Sequence, residues 1–359
     1  MTTIITVLDN ATETSMPFNE FVIYRAAHYP DERHVLILCD REKKLPQVDI
    51  PSHLRILYAG RNLREIRKCL CAVLQDEKRV NTKLIIHLHQ VQSAFLTQLA
   101  MLGTGIRKNV LFTVHSSFHG YKFHNKLLSL FNTALAKRIT CVGYSSFQDY
   151  PKWIKRIKGS RIQPIQNGVD LERIDRIEAE RVEGRSTIDF IYVARMVPVK
   201  NHSFLVDVLR RCDADVRFIF VGAEDAKKSI RKKAEAEGVA ERICFTGLIP
   251  RDDVYRLLKQ ADYYISSSTL EGLPISVMEA MYCGLPCILS DIPQHREVAG
   301  NIAALLPFEA ERWAAEINSA ARLPERERAS TSAAFRVHAA ENFSLAAMHK
   351  RYDAVYALM

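Results

Sequence analysis

The sequence predicts a parallel α/β protein wound in two successive halves. Apolar runs of four to seven residues alternate with helix-period patterns along the chain, and the gaps between them have the length of a strand–helix–strand crossover. The alternation restarts after a polar stretch near the middle. With 359 residues, 48% hydrophobic and 25% charged, the chain can supply two cores of ordinary size. Two doubly wound domains place their ligand edges at the carboxyl ends of their strands, so candidate chemistry is sought there.

In the first half the strand-like runs are ITVL (5–8), HVLILC (34–39), LRILYA (54–59), KLIIHLH (83–89), VLFTVH (110–115) and RITCVG (138–143). In the second they are IDFIYVA (188–194), VRFIFVG (216–222), RICFTG (242–247), DYYISS (262–267) and PCILS (286–290). Between them LERIDRIEAERVEGRS (171–186) is polar and nearly without pattern, and reads as a linker. The closing ENFSLAAMHKRYDAVYALM reads as an amphipathic helix with Leu345, Met348, Tyr352, Val355 and Tyr356 on one side.

Residues 1–180 hold 26 Lys and Arg against 17 Asp and Glu, and residues 181–359 hold 24 of each, so the whole formal charge of +9 lies in the first half. It gathers in Arg61, Arg64, Arg67 and Lys68, on an expected helix with Leu63, Ile66 and Leu70, and in Lys152, Lys155, Arg156, Lys158 and Arg161 around Trp153. Basic residues interleaved with apolar ones suit reversible contact with an anionic membrane surface, and solvated helix faces are the plain alternative. No nucleic-acid-binding motif accompanies the charge. There is no apolar stretch of 18 residues and no signal-peptide pattern, so the expected place is the cytoplasm, with peripheral contact on the inner face of the membrane. The eight cysteines contain no C-x2-C pair and read as free, mostly buried thiols.

The densest chemistry lies in SSSTLEGLPISVMEAMYCGLPC (266–287), where Glu271 and Glu279 flank an expected helix start. Pro274 suits the first turn, and Gly284 and Pro286 stop the helix. The free N–H groups at such a start favour a phosphate, which leaves a carboxylate beside whatever the phosphate carries. Arg195 and Lys200 follow the strand IDFIYVA, well placed for a diphosphate, Arg as a fork and Lys as a point charge. The one D-x-D, Asp213-Ala214-Asp215, precedes a strand and so falls at the wrong end of the sheet for a metal at the ligand edge. No metal and no cofactor are expected. His87 and His89, two apart in a strand, face one side and could pair as ligands, with no third suggested.

Glu271 and Glu279, in E-G-L-P-I-S-V-M-E, resemble the E-x7-E signature of the retaining glycosyltransferases of family 4, which have the GT-B fold. Similar to that family are also P-I-Q-N-G-V-D (164–170), Y-V-A-R-M-V-P-V-K-N (192–201), F-I-F-V-G (218–222), C-F-T-G (244–247) and a closing F-S-x7-Y-x3-Y (343–356), in the family's order. The first half resembles it more weakly, through I-I-H-L-H (85–89) and L-F-T-V-H (111–115). The resemblance implies two Rossmann-like domains facing a central cleft: an acceptor-binding domain at 1–170, a linker at 171–186, a nucleotide-sugar-binding domain at 187–342, and a helix at 343–359 returning to the first domain. It implies that Arg195 and Lys200 bind phosphate, that Glu271 orients the donor sugar and that Glu279 holds the ribose hydroxyls. Leu248, Gly272, Leu273, Pro274, Ile275 and Ser276 line the rest of the donor site, and His115 stands beside the reacting sugar.

The implied activity is transfer of a hexose-type sugar, with retention, from a nucleotide sugar, UDP-linked, to a saccharide or lipid-linked saccharide in bacterial surface polysaccharide assembly. A UDP-sugar 2-epimerase on the same fold and a non-catalytic sugar-nucleotide-binding subunit are the rivals. One departure stands out: many family members carry Gly-Gly after the first strand, where this chain has L-D-N-A-T-E-T-S-M-P-F-N-E-F, with Asn19 and Glu20 as candidates at its end.

Overall fold

The computed structural model describes residues 2–9, 17–40, 49–78, 83–103, 109–180, 185–213 and 215–359. They form two compact units, Met1–Asn167 with Leu345–Met359, and Gly168–Ser344. The loop after the first strand lies outside the described residues over 10–16, as do 181–184 and Ala214.

The first unit is built on seven parallel strands: β1 (Thr2–Leu8), β2 (Glu32–Leu38), β3 (Arg55–Tyr58), β4 (Lys83–Leu88), β5 (Val110–Val114), β6 (Arg138–Cys141) and β7 (Ile162–Pro164). Their order is β3-β2-β1-β4-β5-β6-β7, so the winding reverses between β1 and β4. β1 and β5 are buried almost throughout, as strands covered by helices on both faces must be. The helix Leu345–Ala357 completes this unit, burying Leu345, Met348, Tyr352, Val355 and Tyr356 against Ile4, Leu8, Phe21 and Leu36. Polar contacts fix it: Arg25, only 2% exposed, joins Glu32 and Asp353 at 2.7 Å each, and the Lys83 ammonium donates to Tyr356 O at 2.8 Å. Lys137 donates to Met359 O.

The second unit has β8 (Ile188–Val193), β9 (Val216–Val221), β10 (Ile243–Gly247), β11 (Tyr263–Ser266), β12 (Cys287–Ser290) and β13 (Ala304–Leu306), all parallel, in the order β10-β9-β8-β11-β12-β13. Its winding reverses between β8 and β11. The expected linker is partly folded into this unit, because Asp170 caps the helix Leu171–Arg176 by accepting from Arg173 N at 3.0 Å, Ile174 is fully buried, and Arg173 grips Asp252 at 2.7 Å. β7 and β13 were not expected; at three residues each they carry too little apolar pattern to read.

One expectation about exposure changes. Cys244 is exposed, not buried, because β10 is an edge strand and its second residue points outward, whereas Cys39, Cys141, Cys212 and Cys287 are buried. Leu63 is 40% exposed while Ile66 and Leu70 are buried, since the helix Leu63–Lys78 turns only the latter two inward. No helix among the described residues is long and apolar enough to cross a membrane.

Candidate functional site

The switch between β8 and β11 is where a doubly wound sheet opens a crevice at its carboxyl edge. Two loops leave it, and both are pinned. After β8 the chain runs through a short turn at Pro198–Lys200 to Asn201, whose φ of 54° is left-handed, and then enters the helix His202–Leu209. That loop presses on the end of β9 so closely that a Cβ at Gly222 would stand 2.3 Å from Ala194 O, and the φ of +144° there also demands glycine. After β11 the chain passes Ser267, Ser268 and Glu271 to the helix Ile275–Tyr282. The loops are stitched together by Thr269 N to Val199 O at 2.9 Å and by Ser267 Oγ to Asn201 O at 3.0 Å.

This stitching brings Lys200 and Glu271, 71 residues apart, into an ion pair at Glu271 Oε1. Ser268 Oγ donates to the same oxygen at 2.6 Å. Behind Ser268 lies the buried Tyr192 hydroxyl, 2.8 Å from Ser268 Oγ and 3.0 Å from Lys200 O. Burial and the Glu271 charge push that phenol above its ordinary value, so it remains a donor. Glu279 is buried one turn inside the helix, where Arg251 pairs with its Oε1 and the Tyr255 hydroxyl donates to that oxygen at 3.0 Å. A buried carboxylate without such partners would carry a large desolvation cost.

The remaining expected residues lie on several segments of the same unit. Arg195 is exposed on the loop after β8, and Leu248, after β10, is 65% exposed. Leu273 and Pro274 are buried; Gly272, Ile275 and Ser276 are partly exposed. Pro274 stands one residue before the helix and not in its first turn, its carbonyl receiving Val277 N at 3.1 Å. The N–H groups of Ile275 and Ser276, the first two helical residues, stay outside the helix's own ladder. Asp213 pairs with Arg322, and Asp215 accepts from Thr187 at 3.0 Å, both at the amino edge of the sheet.

In the first unit, His87 is fully buried between the Tyr356 hydroxyl on Nδ1 and Thr113 Oγ1 on Nε2, each at 2.7 Å. Its ring lies 3.9 Å from that of His89, and His89 Nδ1 meets His115 Nε2 at 3.0 Å. Burial first, and neighbouring imidazoles for His87 and His115, hold all three well below the ordinary histidine range; His89 falls to about 3. The histidine pair is thus a neutral hydrogen-bonding stack. Among the described residues no group of three His, Cys, Asp or Glu is arranged for a metal ion. Asn19 and Glu20 are buried on the helix Pro17–His28. His119 is held by Asp149, which also accepts from Ser117, and His124 is exposed.

The sequence did not single out Tyr192, Ser268, Arg251 or Tyr255. The serine run 266–268 was the one local sign. Arg251 gives none, because its partner lies 28 residues away.

Comparison with known proteins covers both halves. Residues 20–173 match the model described as Glycosyltransferase Family 4, and residues 174–336 match that described as Glycosyl transferases group 1. The UDP-Gal:alpha-D-GlcNAc-diphosphoundecaprenol alpha-1,3-galactosyltransferase of Escherichia coli is 27% identical over 229 residues, 58% of this chain and 58% of that protein. The GDP-mannose:cellobiosyl-diphosphopolyprenol alpha-mannosyltransferase of Xanthomonas campestris is 26% identical over 270 residues, 72% of this chain and 68% of that protein. The match thus spans less than two thirds of the E. coli relative. Among solved structures, Anabaena HepE in complex with UDP and glucose superposes with a TM-score of 0.77 at 14% identity, over 99% of this chain and all of that one. This likeness carries the fold, which is GT-B.

Proposed function

We propose that this chain, which carries the two domains of a GT-B glycosyltransferase of the family 4 type, transfers a hexose-type sugar from a UDP-sugar, with retention, to a saccharide or lipid-linked saccharide in bacterial surface polysaccharide assembly. One observation carries the reading: two carboxylates, each with its own cation, stand with a helix start at the switch point of the second sheet. Breaking the anomeric C–O bond leaves charge on a nucleoside diphosphate. Arg195, the N–H groups of Ile275 and Ser276, and Lys200 once it has exchanged Glu271 for the phosphate stabilise it. Glu271 orients the sugar, Glu279 binds the ribose, and Gly272, Leu273 and Pro274 set the turn between them, with Leu248 against the base. His115 contributes a neutral imidazole, able to exchange one hydrogen bond but not to act as a cationic acid. The E. coli relative, named for UDP-Gal and a diphosphoundecaprenol acceptor, supports donor and acceptor class.

Scoring UDP or GDP release from a panel of UDP-sugars and GDP-mannose tests this, with and without lipid-linked acceptors. Release from UDP-sugars, quickened by acceptor, is expected; an epimerised donor, or binding without turnover, overturns it. Activity should survive EDTA within about a factor of two, since an essential metal contributes several kcal/mol.

We also propose that the basic face of the first unit meets anionic membrane. Residues 122–161 hold nine Lys and Arg against Asp149 alone, and Trp153 and Ile157, one turn apart on the helix Lys152–Lys158, are 59% and 71% exposed. Lys155 and Lys158 spend their ammonium groups on the carbonyls of Phe147, Gln148, Ala134 and Ala136, which leaves Lys152 and Arg156 as the outward pair. Vesicle flotation should show salt-sensitive binding to anionic lipid that weakens in Lys152→Gln/Arg156→Gln. Equal flotation of the two proteins rejects this surface.

A further inference from the structure

We propose that the Lys200–Glu271 ion pair is a resting contact that discriminates between donor and product: a sugar-bearing nucleotide exchanges it without loss, and a bare nucleoside diphosphate does not. Ser268, backed by Tyr192, is the positioning residue that holds Glu271 during the exchange. The proposal rests on the nucleotide-sugar reading of the site.

The pair is largely sheltered, with the Lys200 side chain 23% exposed and that of Glu271 12%. Separating such charges leaves each needing a new partner, because the surroundings solvate them poorly. A diphosphate can take the ammonium. The carboxylate is then left facing a second anion, and like charges at close range repel. A sugar on the diphosphate changes this, since its hydroxyls donate to Glu271 where the ammonium had been. Only the sugar nucleotide satisfies both halves of the broken pair.

The two partners are not equally free to move. Glu271 is fixed by the Ser268 hydroxyl at 2.6 Å, and Ser268 is fully buried, with its own carbonyl accepting from Ser290 Oγ at 2.5 Å and its hydroxyl beside Tyr192. The backbone of Lys200 is equally fixed, its carbonyl met by the Tyr192 hydroxyl at 3.0 Å and Ser267 Oγ at 3.2 Å. Its side chain is a flexible four-carbon stem. The lysine therefore swings to the phosphate while the carboxylate stays where the sugar will be. A consequence for the reaction is that the departing diphosphate competes with Glu271 for Lys200, which favours its release.

Calorimetric titration of the full chain with UDP and with its UDP-sugar donor tests this in wild type, Glu271→Gln and Ser268→Ala. Glutamine has the shape of glutamate and lacks the charge, so Glu271→Gln should bind UDP at least about five-fold more tightly while its preference for the UDP-sugar over UDP collapses. Ser268→Ala should lower kcat about ten-fold with UDP affinity equal to or tighter than wild type. General damage to the site would weaken both ligands together. The proposal is overturned if Glu271→Gln binds UDP no better than wild type does, or if Ser268→Ala turns over normally. A wild type that binds neither UDP nor any sugar nucleotide would remove the reading of the site and this proposal with it.

Discussion

The two units wind their sheets in the same way, each reversing beside its central strand, yet they furnish the reversal differently. In the first, whose loop after β1 lies outside the described residues, the residues following β4 and its neighbour β5 are imidazoles packed against one another and kept neutral by burial. In the second, the residues following β8 and β11 are opposite charges, Lys200 with Glu271, and Arg251 with Glu279 nearby. The scaffold fixes where a site opens and leaves its electrostatics to a few side chains. A neutral stack exchanges hydrogen bonds without favouring either sign of charge, whereas paired charges hold an anion-binding group in readiness.

Three measurements would break or sharpen this contrast. The largest effect of a single substitution should come from Gly222→Ala, which drives a Cβ to 2.3 Å from Ala194 O at a φ that only glycine adopts with ease. A cost of about 3 kcal/mol or more and loss of nucleotide binding are expected, with the first unit retaining its hydrogen-exchange protection. Equal loss of protection in both units would mean that the damage is not confined to the second.

Acid should act on the first unit most. Burial lowers His34 to about 4 and His89 to about 3, and holds His87, His115 and His349 well below the usual range; in the second unit it lowers His202, to about 3, and His295. The unfolded chain then binds protons that the folded one refuses, so stability is retained above pH ~6.5 and falls as pH drops toward the folded values. For His89 alone the loss between pH 7 and 5 is about 2 kcal/mol. Hydrogen exchange compared at pH 7 and 5, corrected for intrinsic rates, should show the first unit opening more; a larger loss in the second would reverse the assignment.

The smallest effect belongs to Tyr356→Phe, which removes the hydroxyl on His87 Nδ1 and leaves that buried nitrogen without it. A loss of about 1 to 3 kcal/mol, confined to the first unit, is expected from chemical denaturation.

The long apolar strands were legible because each is a continuous buried run, and the face of the C-terminal helix was legible because five large side chains recur at helical spacing. β7 and β13 were not, being too short to pattern, and neither was the helix Leu171–Arg176, whose stability comes from Asp170 and the distant Asp252. At the site, sequence reasoning singled out Lys200, Glu271 and Glu279 but could not pair them. Pairing is a matter of which loops are stitched side by side, and the Ser267 hydroxyl, the Thr269 N–H and the close approach at Gly222 settle that through contacts with distant backbone that the sequence does not pair. The basic cluster shows the same limit from the other direction, since Lys155 and Lys158 look like surface charge in the sequence and prove to be tied to carbonyls.

Because the helix Leu345–Ala357 belongs to the first unit, the order of synthesis differs from the order of completion. A ribosome delivers Met1–Asn167 before Gly168–Ser344, but the apolar surface around Ile4, Leu8, Phe21 and Leu36 stays uncovered until Leu345–Met359 emerges. The second unit has all of its strands by then and closes on itself, Val169 N bonding Phe343 O at 2.7 Å. The half translated earliest is therefore the one that waits, exposed to chaperones and proteases for the time taken to make 177 further residues.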